Sequence, residues 1–298
     1  MERLTLERNH VCIDVYQTKQ TPKAAVVICP GGGYANLSER EAEPVAKQFL
    51  QDGYMAIVLW YEVKKQPALG NLPLQQLSDT ICWLRKHASE YQMEKKHIYV
   101  CGFSAGGHLA ASLGVLWNRA EFFDKGTDLQ EHRPDGMILC YPVISSGEFA
   151  HRSSFVRLAG DRREDQEKYS LEKQVDTDTV PVFLWGTFAD RAVPVENSLL
   201  FLMELTRYRI PVEYHLFPNG VHGLSLATKE VQDLAAGRYP DHHVAQWMPL
   251  CLEWLDCVME KILPINSEKE EAKGICVCYS IDTVYISFKG GILYGNTT

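Results

Sequence analysis

The sequence predicts an α/β protein, a parallel sheet crossed over by helices. Three observations carry this. Short runs rich in β-branched and aromatic residues alternate with longer stretches of helical periodicity over most of the 298 residues, the rhythm of βα units. Two of the strand-like runs are apolar throughout, as strands covered on both faces require. A third run passes straight through a glycine-rich turn into an apolar helix at Gly102 to His108.

In chain order, Val11 to Tyr16 predicts an edge strand, Ala24 to Cys29 a buried strand, and Ser38 to Gln51 a helix whose start pairs Ser38 with Glu41 three residues on. Tyr54 to Val63 reads as a second buried strand. Leu74 to Tyr91 places Leu77, Ile81, Leu84 and Ala88 at mostly helical spacing. His97 to Cys101 is a strand, Leu109 to Trp117 a helix, and Gly136 to Tyr141 a strand that Pro142 ends. Pro181 to Gly186 and Pro211 to Phe217 supply two further strands. Between them and Tyr141, the polar stretch 145–179 is too long for a simple connection and predicts a lid-like insertion. Val244 to Leu263 is the closing helix, with Trp247, Cys251, Trp254 and Val258 on one face and Pro264 at its end. The organisation expected is a domain over 1–264 followed by a tail, 265–298. That tail joins a charged hinge, Asn266 to Gly274, to two alternating runs, Ile275 to Ile281 and Thr283 to Phe288. Such runs can pair as a hairpin or add to a partner's sheet edge, which makes a homodimer one option.

With 38 acidic against 30 basic side chains the formal charge is −8, which offers no attraction to a phosphate backbone or anionic lipid. Nucleic acid is not expected as a partner. The apolar run Met55 to Tyr61 is about a third of the roughly 20 residues that a membrane span requires, so no membrane association is expected. Met1 to Arg8 has no apolar h-region, and a cytoplasmic location is the expectation. The nine cysteines are odd in number and scattered, several in apolar runs (Cys29, Cys101, Cys140), a pattern of buried thiols in a reducing compartment. The close pair Cys276 and Cys278 lacks two further ligands at finger-like spacing, so neither a metal nor another cofactor is expected.

Gly102-Phe103-Ser104-Ala105-Gly106 matches G-x-S-x-G, in which a tight strand-to-helix turn lifts a serine hydroxyl out of the sheet. The strand before it and the helix after it supply the context that the motif needs. A serine hydroxyl attacks a carbonyl poorly unless a base removes its proton. His222, in the turn-forming loop Pro218 to Gly223 after a strand, is the candidate base. His215 lies inside that strand, His108 sits on the helix after the serine and reads as a packing residue, and His242 and His243 precede the last helix. Asp190 follows the strand Pro181 to Gly186 by a short loop and is the candidate orienting acid. Asp176 and Asp178 precede that strand and belong to its other edge, while Glu196 opens the next helix. Acyl transfer also needs donors for a developing oxyanion. Gly32 and Gly33 after a buried strand, with Ala105 after the serine, present backbone N–H groups for that purpose. Neither glycine cluster has the spacing of a nucleotide-phosphate loop. Tyr34, Trp60, Tyr61 and Trp185 are candidate substrate-contacting aromatics.

Cys29 to Tyr34, Gly102 to Ala110, Tyr141 to Val143, Trp185 to Asp190 with Val193 to Asn197, and Gly220 to Gly223 together resemble the α/β-hydrolase superfamily. More narrowly, they resemble its small esterase and lipase branch, which includes acetyl-xylan-esterase-like and other sugar-ester hydrolases. The resemblance implies an eight-stranded, mostly parallel sheet with helices on both faces and a Ser104-Asp190-His222 triad. It also implies hydrolysis of a small-molecule carboxylic ester, of short acyl and in particular acetyl type, through an acyl-enzyme without a cofactor. Pro30 stands where many relatives carry histidine, and the branch most similar also uses proline there. Two alternatives stay open: a small-amide hydrolase such as an arylformamidase or peptidase, since a triad does not choose its leaving group, and a catalytically silent ligand- or partner-binding protein.

Overall fold

A computed structural model of the chain describes residues 1–63, 67–124, 126 and 128–260. Eight strands form one sheet: β1 (Glu2–Thr5), β2 (Cys12–Tyr16), β3 (Ala25–Cys29), β4 (Met55–Trp60), β5 (Ile98–Phe103), β6 (Gly136–Cys140), β7 (Val182–Thr187) and β8 (Val212–Phe217). Their order is β1-β2-β4-β3-β5-β6-β7-β8. The first two pairings are antiparallel and the rest parallel.

Seven of these strands are those expected, and β1 is additional. It has four largely exposed residues, too few to show a period. Its pairing with β2 moves Val11 to Tyr16 inward, which corrects the expectation of an edge strand there.

The helices are α1 (Glu43–Gln51), α2 (Leu72–His87), α3 (Ala105–Leu116), α4 (Arg152–Ala159), α5 (Arg163–Glu167), α6 (Glu196–Arg207) and α7 (Trp247–Met259). The central strands sort their side chains with period two. Val27, Ile57 and Val100 face one core with Leu77 and Ile81 of α2, Leu109 of α3 and Phe201 of α6. Val26, Val58 and Cys101 face the other with Val45 and Phe49 of α1 and Trp247 and Trp254 of α7. Helices therefore cover both faces.

Two helix starts differ from expectation. The stretch 38–51 is a short 3-10 turn, Glu39–Glu41, then a break at Ala42 before α1, whose first turn holds Pro44. Ser38 makes no side-chain cap, and the Glu41 carboxylate is drawn to Gly31 and Tyr141 instead of closing a capping box. At the other, α3 begins directly after Ser104 rather than at Leu109. The insertion 145–179 carries α4 and α5, and α4 buries Phe155 and Leu158. The tail 265–298, with Cys276 and Cys278, lies outside the described residues.

Candidate active site

Parallel strands β3, β5, β7 and β8 end at the same edge of the sheet, so the loops that follow them share one rim. Ser104 is the turn between β5 and α3. Its φ of 53° is strained for a residue with a side chain, and it is held by Ser104 N–H donating to the Cys140 carbonyl at 3.0 Å and by the Ser104 carbonyl accepting from His108 and Val143. Close approach here depends on Gly106, where a Cβ would stand 2.0 Å from the Cys29 carbonyl oxygen.

Asp190 closes a turn after β7. Its Oδ1 accepts from the N–H groups of Ala192 and Val193 at 2.9 and 3.0 Å, and its Oδ2 lies 2.6 Å from His222 Nδ1. An ionised carboxylate only accepts, so Nδ1 carries the proton and Nε2 is left as an acceptor. Ser104 Oγ stands 2.7 Å from that Nε2 and donates to it. Asp190 and Ser104 are 6% and 7% exposed, a setting in which water competes little for these bonds. The His222 loop is fastened by Thr187 Oγ1 donating to the Gly220 carbonyl and by Arg238 Nε donating to the His222 carbonyl. The Tyr141 ring packs edge-on against His222, centroids 5.1 Å apart.

The loop after β3 runs beside the serine: a Cβ on Gly31 would lie 3.1 Å from Ser104 Cβ. Gly31 gives its N–H to Glu41. Among the described residues, the N–H groups of Gly32 and Gly33 meet no protein acceptor, and the Ala105 N–H belongs to the first turn of α3, which has no intrahelical partner. The α3 dipole adds positive potential at that point.

From the insertion, α4 closes over this loop. Arg157 Nη1 donates to the Gly33 carbonyl at 3.0 Å, and a Cβ on Gly33 would lie 3.6 Å from both His151 Cε1 and Ser154 Oγ. His151 shares a hydrogen bond with Ser154 Oγ at 2.8 Å. Burial foremost, then the nearby His222 and Arg157, push its pKa down, and Asp190 opposes them. Nothing in the sequence marks His151, because apart from Ser154 its neighbours in space, Gly33, Asp190 and His222, are remote in the chain.

Three of the four candidate aromatics pack in the core, and Trp60 is partly buried beside it. Tyr34, Tyr61 and Trp185 are 0–2% exposed. The Tyr34 hydroxyl bonds His108 Nδ1, and the Tyr61 hydroxyl donates to the Pro30 carbonyl. Trp185 stacks on Trp247. Trp60 donates Nε1 to Asp14 and lies under Arg3, on the β1–β2 side of the sheet. The other histidines and acids stand apart from Ser104 Oγ: His108 is buried on α3, His215 bonds Glu213 within β8, and Asp176 and Asp178 pair with Arg119 and Asn118. Among the described residues, no group of three or more His, Cys, Asp or Glu is placed to hold a metal ion, and no helix is long and apolar enough to cross a membrane.

Comparison with known proteins agrees with this architecture. The chain is 39% identical over 214 residues to endo-1,4-beta-xylanase B of Butyrivibrio fibrisolvens, a match covering 69% of this chain and 33% of that protein. It is 26% identical over 212 residues to an acetylxylan esterase of Xylanibacter ruminicola, covering 68% of this chain and 42% of that one. The chain thus spans well under half the length of these curated relatives. A solved structure, the acetyl ester-xyloside bifunctional hydrolase from Caldicellulosiruptor lactoaceticus, superposes with a TM-score of 0.73 at 35% identity, covering 84% of this chain and 89% of that one. The sequence model of the family described as BD-FAE matches residues 13–205. By that match and this fold, the chain is an α/β-hydrolase and belongs to the BD-FAE family.

Proposed function

We propose that the protein is a serine hydrolase that cleaves carboxylic esters of short acyl groups, acetyl esters of sugars above all, through an acyl-enzyme. The observation that carries this is the unbroken series Asp190–His222–Ser104, at 2.6 and 2.7 Å, beside unpartnered backbone N–H groups. In this reading Ser104 Oγ attacks the ester carbonyl carbon while its proton passes to His222 Nε2. The carbonyl oxygen, now an oxyanion, is received by the N–H groups of Gly32, Gly33 and Ala105, each such donor being worth on the order of 3 kcal/mol. As the tetrahedral species collapses, the bond to the alcohol oxygen breaks and that oxygen takes the proton from His222. Water then attacks the acyl-serine, gives its proton to His222, and the carboxylic acid leaves as Ser104 recovers its own.

The substrate class is supported by the names of similar proteins, which include acetylxylan esterase and acetyl ester-xyloside bifunctional hydrolase. The seven described cysteines carry free thiols, which fits a reducing compartment.

The test is to assay p-nitrophenyl acetate, acetylated xylo-oligosaccharide, N-formylkynurenine and an aminoacyl amide beside a Ser104→Ala control. Release of acetate from the first two, lost in the control, is the expected result. Turnover confined to the amide substrates would replace the ester reading with the amidase one, and no turnover at all would favour a silent binding protein.

A further inference from the structure

Between the oxyanion loop and the histidine loop lies a buried carboxylate to which the triad assigns no task. Glu41 is 3% exposed. Its Oε2 accepts the Gly31 N–H at 2.8 Å and its Oε1 accepts the Tyr141 hydroxyl at 2.7 Å. Both partners border reacting groups, since Gly31 runs against Ser104 and the Tyr141 ring packs on the His222 imidazole. The Tyr141 oxygen in turn accepts the Ser225 N–H at 2.9 Å, three residues beyond His222. Arg40 reinforces the same tie: its guanidinium donates to the carbonyls of Gly223 and Val231, and its own carbonyl accepts from Ser225 Oγ at 2.6 Å.

We infer that Glu41 is a positioning residue that fixes the oxyanion loop and the backing of His222 in one register, so that donors and base are presented together. The inference rests on the ester-hydrolase reading for its kinetic consequence, but not for its structural one. A carboxylate suits this place because it accepts from two donors and carries no hydrogen of its own. Burying it is costly unless both oxygens are bonded, and a space-filling role alone would be met by an apolar side chain. The amide of Gln has the same shape but carries a donor edge: turned to Gly31 it opposes that N–H, and turned to Tyr141 it makes the hydroxyl an acceptor on that side as well as from Ser225, so that the hydroxyl hydrogen loses the acceptor it had.

The experiment compares wild type, Glu41→Gln, Tyr141→Phe and the double variant, with rates normalised to the fraction of Ser104 titrated by a fluorophosphonate. For Glu41→Gln, kcat on p-nitrophenyl acetate falls about 10²-fold, the scale expected for a misplacement near 1 Å, with KM little changed. Affinity for a boronic acid, which forms a tetrahedral adduct on serine, falls in parallel. Tyr141→Phe cuts the same tie at its other end, so the double variant is no slower than Glu41→Gln alone. Amide hydrogen exchange at Gly31 and at Ser225 accelerates together in Glu41→Gln. Wild-type kcat per titrated site, or exchange that changes at Gly31 but not at Ser225, overturns the inference. Should the wild type hydrolyse no ester, the ester reading fails while the paired change in exchange still decides the role of Glu41.

Discussion

Asp190 holds His222 with one carboxylate oxygen while its other oxygen is pinned by two backbone N–H groups, those of Ala192 and Val193. The carboxylate therefore cannot swing away without losing both, and the Nδ1–H tautomer of His222 follows from its position. Asp190→Asn can present an N–H to Nδ1, which reverses the tautomer and takes the acceptor from the Ser104 proton. The expected result is a fall in kcat of about 10⁴ with a residual rate supplied by the oxyanion donors. Steady-state kinetics on p-nitrophenyl acetate check it, and a loss below about tenfold would assign the orienting role elsewhere.

Gly32 has φ of +134°, and a Cβ there would stand 2.0 Å from the Asn36 carbonyl oxygen. Gly32→Ala must move the loop and its N–H groups. Loss of one such donor lowers kcat by about 10²–10³, with KM changed much less, because the donors act on charge that develops only in the transition state. Boronic-acid affinity should drop by a similar factor, and equal losses in kcat and ground-state binding would contradict this.

Gly106 contributes through packing. Its replacement by Ala would drive a Cβ into the Cys29 and Pro30 carbonyl oxygens at 2.0 and 2.5 Å, both of them backbone at the end of β3. Separating α3 from β3 to relieve this costs about 3 kcal/mol or more. Urea unfolding should show a lower midpoint with an unchanged slope.

His108 gives stability a pH dependence. Its Nε2 faces the Tyr169 carbonyl, which only accepts, so Nε2 carries the proton and Nδ1 accepts from the Tyr34 hydroxyl. Burial pushes the pKa down to about 4 from 6.5. Between those values the unfolded chain binds a proton that the folded one refuses, so the contribution of His108 is intact above pH 6.5 and declines as pH falls toward 4. The full decline is on the order of 3 kcal/mol at 1.36 kcal/mol per pKa unit. His108→Gln should be less stable at pH 7 but flatter over that window. Equal slopes in wild type and variant, measured by urea unfolding at pH 7, 5.5 and 4.5, would contradict the assignment.

What was legible in the sequence is what the chain decides locally. Apolar runs placed β3 to β8 to within a few residues, and the G-x-S-x-G turn between a strand and a helix located Ser104, because only glycine tolerates such approach. Asp190 and His222 lie in the loops that follow β7 and β8, a placement that chain order alone makes readable. Less local features escaped. β1 gains its meaning only from pairing with β2, and Glu41, read as half of a capping box, instead bonds partners 10 and 100 residues away. Tyr34, Tyr61 and Trp185 stand close to motifs in the sequence, and the area that they bury draws them inward. His151 comes over Gly33 through the docking of α4, which no spacing encodes.

The most direct measurement is to mix the protein with p-nitrophenyl acetate, quench in acid before the first turnover completes, and map the acetyl group by peptide mass spectrometry. A burst of nitrophenol with a single acetyl on the Ser104 peptide is the expected result. Acetyl on another residue, or undiminished turnover by Ser104→Ala, would contradict it.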